Sequence, residues 1–262
     1  MLKRIVTTAI GLPILFYVIT KGSALLTLAL MVVACIGLNE FYRACLKLHC
    51  KPVSWVGYLG TVVLFLPLVF TTESFPIILR VSLTFILLLV IWVFKHPDVS
   101  LHDVTITWFG FMYVPLMLLH IALIDGSQVA HAVWLVFIIS WACDTGAYLV
   151  GISLGKHKLC PAISPKKTVE GAAGGIIGSI IGCIVFGYLL YPSKIVFLII
   201  LGVIGAVVSQ VGDLAASLVK RTTGLKDFGS LFPGHGGILD RFDSILFTAP
   251  IVYFALHYWN LW

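Results

Sequence analysis

Residues 195–212 read IVFLIILGVIGAVVSQVG, eighteen consecutive positions without a charge. A run of this length reaches across the roughly 30 Å of hydrocarbon in a bilayer. The rest of the chain has the same character, since 60% of its 262 residues are hydrophobic, 11% are charged, and the mean hydropathy is +1.08. An average soluble domain carries about 25% charged residues. The sequence therefore predicts an all-α polytopic membrane protein.

The apolar runs predict about nine transmembrane helices. They lie near residues 4–20, 22–38, 53–70, 76–94, 104–124, 130–151, 171–191, 194–212 and 245–262. A β-barrel is disfavoured because the runs are uniformly apolar rather than alternating. The first run lacks a small-residue cleavage site and is expected to be an uncleaved helix. We expect one integral membrane domain over 1–262, with an N-terminal part (1–125) and a part that carries the chemistry (126–262).

The distribution of cations predicts the orientation of these spans. With nine spans, 14 of the 17 Lys and Arg residues fall on the side of the N-terminus, and only Lys21, Arg80 and Lys194 fall on the other. Cytoplasmic loops carry an excess of cations, so the side with 14 cations is predicted to be cytoplasmic. The net charge of +6 is thus attributed to orientation and to an anionic substrate rather than to nucleic acid. The six cysteines form no CxxC pair and are interpreted as small hydrophobic residues.

Polar residues are unevenly distributed along the chain. The first half has plain loops except at Asn39, Glu40 and Arg43, which a helix-end ion pair or a headgroup contact explains at least as well as a functional site does. Six of the eleven carboxylates follow residue 140, and an ionisable group inside a span indicates function. Ser140, Asp144 and Tyr148 recur every four residues and so share one helix face. The alternative for this face is a structural hydrogen bond between helices.

Two further segments of the second half are polar. Gln210, Asp213, Ser217 and Lys220 form one stripe at helical spacing, which ends with Arg221. The loop GKHKLCPAISPKKTVEG combines Lys156, Lys158, Lys166 and Lys167 with hydroxyl groups, including that of Thr168. Cations and hydroxyls together suit phosphate oxygens, whereas the alternative is a basic cluster that holds anionic lipid. The glycines at 174, 178 and 182 predict close helix packing.

The stretch KDFGSLFPGHGGILDRFDS (226–244) concentrates charge just before the last apolar run. Its Gly and Pro residues predict a loop, and Asp240 and Asp243 lie three positions apart at the expected start of a helix. Helix capping explains one carboxylate, but not both of them together with Asp213 and the nearby cations. Carboxylates without His or Cys partners suit Mg²⁺ or another divalent cation. The residues therefore predict metal-assisted chemistry on phosphates at the cytoplasmic membrane surface.

The run from Ser217 to Asp243, SLVKRTTGLKDFGSLFPGHGGILDRFD, closely resembles the signature of the phosphatidate cytidylyltransferase (CDP-diacylglycerol synthase) family. The shared pattern is a Ser, Lys-Arg, Lys-Asp, a Pro-x-His-Gly-Gly turn and Asp-Arg-x-Asp. Upstream, SPKKTVEG (164–171) and the pair Gly212-Asp213 also resemble this family. The resemblance implies that CTP and phosphatidic acid react to give CDP-diacylglycerol and pyrophosphate, with a divalent metal.

The resemblance also implies roles for individual residues. Catalytic roles fall to Asp213, Lys226, Asp227, Asp240 and Asp243. Metal binding is expected from Asp213 and Asp240, with Asp243 and Asp144 as further candidates. Substrate phosphates are expected to contact Lys166, Lys167, Thr168, Ser217, Lys220, Arg221, His235 and Arg241. For His235, a turn hydrogen bond is an equal alternative. A homodimer embedded in membrane lipids, in a bacterial inner membrane with the site facing the cytoplasm, is likewise implied.

Two other classes of protein compete with this interpretation. A cation-coupled transporter would use Asp144 and Asp213 as ion sites, but it predicts broken helices and repeats in both halves. The second class is another metal-dependent lipid phosphotransferase. Of its members, a CDP-alcohol phosphotransferase would carry a DGxxAR-type run, which the sequence lacks. A membrane phosphatase would need a His nucleophile with an Arg-rich partner motif, which is also missing.

The nine-span topology predicts the location of the C-terminus. A reporter fused after Trp262 should be non-cytoplasmic, because an odd number of spans separates the two termini. Alkaline phosphatase and green fluorescent protein fusions measure this directly. A cytoplasmic C-terminus would contradict the count.

Overall fold

The computed structural model of the protein describes residues 2–70, 76–127, 129–231 and 236–258. Within these ranges the regular structure is helical, apart from one short antiparallel pair of strands. The helices are α1 (Leu2–Lys21), α2 (Ser23–Cys45), α3 (Ser54–Phe70), α4 (Ile77–Phe94), α5 (Leu101–Phe111), α6 (Met117–Asp125), α7 (Val133–Leu154), α8 (Val169–Leu190), α9 (Ile195–Thr222) and α10 (Leu239–Tyr258). The strands are β1 (Lys158–Cys160) and β2 (Ser164–Thr168). The predicted all-α class is confirmed.

The helices have the length and composition of membrane spans. Six helices in the described ranges are long and apolar enough to cross a bilayer, and α3 is a shorter apolar helix. Their outer faces carry large apolar side chains, such as Ile78 and Phe94, which are 76% and 82% exposed. Apolar surface on this scale is covered by lipid rather than by water. The protein is an integral membrane protein, and the count of nine crossings stays a prediction.

Each predicted apolar run coincides with helix as far as the described residues extend. A π-helical turn over Met112–Leu116 joins α5 to α6 within a single run. Helices α1 and α2 are separate because Gly22 has a φ of +57°, a conformation that disfavours a side chain. The carboxylate of Asp125 accepts the N–H of Ser23 at this break. A Cβ at Gly22 would collide with the same carboxylate.

The chain forms two compact units. The N-terminal unit contains residues 1–126 and 222–241, and the C-terminal unit contains residues 127–221 and 242–262. The first boundary lies next to the division expected after residue 125. The segment 222–241, which carries much of the charged motif, belongs with the N-terminal helices in this division, and the expected parts 1–125 and 126–262 stay a prediction.

In the N-terminal unit, α2 packs closely against α3 and α5 at two glycines. A Cβ at Gly57 or Gly110 would collide with the ring of Tyr42, so both positions admit the aromatic side chain because they have none. The Tyr42 hydroxyl donates a hydrogen bond to the carbonyl of Thr107 at 2.8 Å. This bond satisfies a buried polar group in an apolar core, where an unpaired hydroxyl would be costly.

In the C-terminal unit, α7 and α8 approach each other backbone to backbone. A Cβ at Gly146 would meet Gly174, and a Cβ at Gly178 would meet the carbonyl of Ala142. Ser179 adds a hydrogen bond from its hydroxyl to the carbonyl of Ile139 at 2.8 Å. Small residues permit such contact in membranes, where helix association depends on packing and interhelical hydrogen bonds. The predicted role of the glycine ridge in packing is confirmed.

We predict that Gly178→Val destabilises the C-terminal unit. Its side chain must push α8 away from α7, at a cost of about 1–3 kcal/mol typical of overpacking. Thermal unfolding in detergent should show a lower midpoint for this variant than for the wild type. Gly11→Val is the matched control, because nothing lies within 4 Å of a Cβ at Gly11. Equal midpoints for both variants would contradict the packing interpretation.

Candidate functional site

A polar cavity of about 570 Å³ lies within the C-terminal unit. It is bounded by α7, the β1–β2 hairpin, α8 and α9, and this size is in the range of small-molecule sites. The polar side chains that line it are Asp144, Lys166, Lys167, Thr168, Gln210 and Asp213. The structure thus brings together predicted residues from three separate stretches of the sequence.

The β1–β2 hairpin presents the lysines to this cavity. Its strands are antiparallel, with Lys158 opposite Thr168. Thr168 ends β2 and is also the N-cap of α8, where its hydroxyl oxygen accepts the N–H of Gly171 at 3.1 Å. Such a cap satisfies one of the unpaired N–H groups at a helix start. Because Thr168 both ends β2 and caps α8, Lys166 and Lys167 are held next to the N-terminus of α8.

Glu170 anchors the other end of the hairpin. Its carboxylate accepts the backbone N–H groups of Lys156, at 3.0 Å, and His157, at 3.2 Å. The Nδ1 of His157 lies 2.6 Å from Oε1 of Glu170. A carboxylate in the first turn of a helix is also favoured by the helix dipole. Glu170 thereby ties the start of the basic loop to α8.

Lys167 and Asp213 form an ion pair inside the cavity. The Lys167 ammonium lies 2.6 Å from Oδ2 of Asp213, and the two side chains are 26% and 29% exposed. A partly exposed pair of this kind contributes at most about 1 kcal/mol to stability. The pair therefore matters for chemistry rather than for stability. It places an ammonium and a carboxylate side by side in the cavity, where an anionic ligand can compete for the ammonium.

The polar stripe of α9 faces the same cavity. Gln210 donates a hydrogen bond to the carbonyl of Ala172 at 3.1 Å, and the Ser217 hydroxyl lies 3.4 Å from Oδ1 of Asp213. At Gly212, a Cβ would lie 2.7 Å from the carbonyl oxygen of Asp243. Glycine here lets the backbone of α10 approach α9 next to Asp213.

The polar face of α7 divides between two roles. Ser140 is buried and donates a hydrogen bond to the hydroxyl of Thr248 at 3.1 Å, so the structural alternative holds for this residue. Asp144 and Tyr148, further along the helix, line the cavity. A functional role for this face therefore falls to these two positions and stays a prediction.

Three other predicted residues belong to the C-terminal unit. Asp243 accepts the N–H of Ser244 at 2.8 Å, and its carboxyl interacts electrostatically with Asp213, Lys220 and Asp144. Lys220 is half-buried near the end of α9. The guanidinium Nε of Arg221 donates to the carbonyl of Ile163 at 3.2 Å, which ties the end of α9 to the hairpin turn.

The remaining predicted residues belong to the N-terminal unit. Lys226, Asp227 and Arg241 are exposed. Asp240 is buried, and its Oδ2 accepts the N–H groups of Phe228 at 2.8 Å and Gly237 at 3.0 Å. Through these two hydrogen bonds Asp240 holds the loop that precedes α10. Its metal-binding role stays a prediction. His235 lies outside the described residues.

Glu40, which belongs to the N-terminal unit, has hydrogen-bond partners that the sequence did not predict. Its side chain is 6% exposed, and its carboxylate accepts the N–H groups of Ile238 at 3.0 Å and Leu239 at 2.8 Å. The structure therefore disfavours the ion pair and the headgroup contact, two of the three alternatives that the sequence left open for Glu40, because backbone N–H groups contact both oxygens. The available signal was an acidic residue near the end of an apolar helix, which indicates function in a membrane protein.

The donor set of the cavity fits a hard divalent cation shared with a ligand. Within the described ranges, no group of three or more His, Cys, Asp or Glu side chains has the arrangement of a metal site. Mg²⁺ does not require such a group, since it usually takes one or two carboxylates together with water and substrate phosphates. Asp144 and Asp213 are two carboxylates that line the same cavity, so the residues fit such an ion, and its binding here stays a prediction.

These features define an integral membrane protein with a mixed acidic and basic cavity suited to phosphates. The sequence profile of the Cytidylyltransferase family matches residues 2–259. Phosphatidate cytidylyltransferase of Bacillus subtilis is 33% identical over 98% of this chain and 97% of its own length. The protein of that name from Staphylococcus saprophyticus is 33% identical over 95% and 96%, and that of Synechocystis is 32% identical over 96% and 95%.

The chain therefore belongs to the cytidylyltransferase family, whose members are nucleotidyltransferases. The resemblance inferred from residues 217–243 is confirmed. The match extends over the plain N-terminal helices as well as the motif.

We predict that Glu170→Gln loosens the basic hairpin. The amide cannot accept from both backbone N–H groups and the imidazole as a carboxylate does, so at least one hydrogen bond to the start of the basic loop is lost. Amide hydrogen exchange at Lys156 and His157 should accelerate by about tenfold or more. Lys158→Gln, an exposed change on β1, should leave that exchange unaltered. Unchanged exchange in Glu170→Gln would contradict the anchoring role.

Proposed function

We propose that this protein transfers the cytidylyl group of CTP to phosphatidic acid, giving CDP-diacylglycerol and pyrophosphate for phospholipid biosynthesis. The observation that carries the proposal is the convergence of Lys166, Lys167, Asp144 and Asp213 on one cavity of an integral membrane protein. The names of the relatives support the choice of substrates.

The electrostatics of the reaction explain the composition of the cavity. An oxygen of the phosphatidate headgroup attacks the α-phosphorus of CTP, the bond from that phosphorus to the bridging oxygen breaks, and pyrophosphate leaves. Both reactants are anions, so the site must neutralise charge and hold attack and departure in line. Lys166 and Lys167 supply positive charge, and the Thr168 hydroxyl donates to a phosphate oxygen. No covalent enzyme intermediate is needed, because the lipid phosphate is the nucleophile.

The Lys167–Asp213 ion pair prepares the cavity for these anions. When triphosphate enters, the Lys167 ammonium, 2.6 Å from the carboxylate beforehand, turns to a phosphate oxygen and leaves Asp213 available to a cation. Asp144 and Asp213 would hold Mg²⁺ or another divalent ion, with Asp243 as a further ligand of the same unit. When bound, this ion offsets the charge of the triphosphate and of the leaving pyrophosphate.

The cavity is proposed to open to the cytoplasm of a bacterial cell, in the inner membrane. The predicted topology puts the hairpin and the end of α9 on the side with most cations, and CTP is a cytoplasmic nucleotide. Phosphatidic acid reaches the same surface through the lipid leaflet. A reaction between a soluble and a membrane-bound substrate requires such an interfacial site.

Turnover by the purified protein tests the proposal. In nanodiscs with CTP, phosphatidic acid and Mg²⁺, the wild type should form CDP-diacylglycerol and pyrophosphate in equal amounts. Chelation of divalent ions should abolish the reaction. Asp213→Ala and Lys167→Met should each lower kcat/KM by about 100-fold or more, as expected when a charged group is removed from a phosphoryl-transfer site.

Asp98→Ala is the matched control, because Asp98 is an exposed carboxylate outside the cavity. Its activity should stay within about twofold of the wild type. The absence of a CDP-lipid product from the wild type would overturn the proposal. Full activity of Asp213→Ala would overturn the assignment of the site.

A further inference from the structure

Two carboxylates of the N-terminal unit hold the backbone of one loop. The motif loop is defined here as residues 222–241, of which the structure describes 222–231 and 236–241. Asp240 accepts the N–H groups of Phe228 and Gly237 within the loop. Glu40, about 200 positions earlier on α2, accepts those of Ile238 and Leu239. Four backbone N–H groups of the loop therefore donate to only two side chains, Asp240 and Glu40.

The loop is built around the Glu40 carboxylate. A Cβ at Gly229 or at Gly237 would collide with the oxygens of Glu40. The two glycines are eight positions apart in the sequence, and a Cβ at Gly229 would lie 3.2 Å from the Cα of Gly237, so both lie next to the carboxylate. Glu40 fits here because neither position has a side chain. The space left by the two glycines is occupied by the carboxylate of Glu40.

The contact also sets where α10 begins. Leu239 is the first residue of α10, and the N–H groups at a helix start have no partners within the helix. Glu40 satisfies two N–H groups at this point, and its negative charge suits the positive end of the helix dipole. Buried carboxylates are tolerated only with such donors. Helix α2 thus fixes the position from which Asp240 and Arg241 project.

We propose that Glu40 is a positioning residue for the reaction, which acts by holding the motif loop and the start of α10 in one conformation. This inference rests on the proposed function, since the loop carries Lys226, Asp227 and Arg241, which are predicted to bind phosphates or to take part in catalysis. It also assigns a function to the N-terminal helices, whose sequence carries almost no chemistry of its own. Glu40 itself touches no reacting atom in this account.

The test is Glu40→Gln, which keeps the shape of the side chain and removes its charge. In glutamine an NH₂ group replaces one of the two carboxylate oxygens, and this group faces a backbone N–H that it cannot accept. At least one hydrogen bond is therefore lost, and the loop shifts. We expect amide exchange at Ile238 and Leu239 to accelerate by about tenfold or more, and kcat/KM to fall by about ten- to hundredfold. Glu40→Asp, which is too short to reach both donors, should lie between Glu40→Gln and the wild type.

Arg43→Gln is the matched control, because Arg43 lies one turn further along α2 and is exposed. It should leave both exchange and kinetics unchanged. The thermal midpoint of Glu40→Gln should fall by only about 2–8 °C, because one or two hydrogen bonds are lost, and activity measured well below that midpoint separates positioning from global unfolding. A Glu40→Gln variant with wild-type exchange at Ile238 and Leu239 overturns the inference, and so does one with faster exchange but unaltered kcat/KM.

The exchange measurement needs no turnover, so it distinguishes the two proposals. If the wild type makes no CDP-lipid while Glu40→Gln still releases the loop, the proposed function fails and the structural role of Glu40 stands. If the wild type is active and the loop is unaffected by Glu40→Gln, only the positioning role fails.

Discussion

The structure depends on one constraint: a charged side chain in an apolar helical protein must find its partner inside the protein. Only 11% of the residues are charged, so each buried charged side chain needs its own specific partner. In the C-terminal unit the solution is a pair of opposite charges, Lys167 and Asp213, 2.6 Å apart. In the N-terminal unit it is backbone, because Glu40 and Asp240 are satisfied by N–H groups.

These two solutions have different chemical consequences. An ion pair separates when an anion and a cation compete for its members, which supports the proposal that Lys167 binds phosphate and Asp213 binds metal. Backbone hydrogen bonds do not exchange in this way, because breaking them leaves buried donors unsatisfied at a cost of about 1–3 kcal/mol each. Asp213 therefore suits binding, whereas Glu40 suits architecture. A carboxylate in this apolar chain thus serves either ligand binding or architecture, and its hydrogen-bond donors decide which.

Glycine makes both arrangements possible. On α7 and α8, Gly146, Gly174 and Gly178 bring the two backbones into contact, which holds Asp144 and the hairpin next to each other in one unit. In the motif loop, Gly229 and Gly237 make room for the Glu40 carboxylate. An added methyl group would push α7 and α8 apart in the first case and would displace the Glu40 carboxylate in the second.

The sequence predicted local features well and long-range partners poorly. Apolar runs predicted the helices because length and hydropathy are local properties, and helical spacing placed Asp144 with Tyr148, and Gln210 with Asp213, on shared faces. The partner of Glu40 lies 198 and 199 residues away in backbone N–H groups, which carry no sequence signature. The β1–β2 hairpin was expected only as loop, since Lys-rich strands of three and five residues lack an apolar alternation.

The central claim is that the cavity binds the triphosphate of CTP through Lys167 together with a divalent cation. Its most direct test is the unfolding temperature with and without Mg²⁺ and CTP, because a ligand that binds only the folded state stabilises it, by about 2.7 kcal/mol at 100 times Kd. The account predicts that CTP with Mg²⁺ raises the midpoint of the wild type, that CTP with a chelator does so much less, and that Lys167→Met abolishes the rise. An equal rise in wild type and Lys167→Met would contradict it.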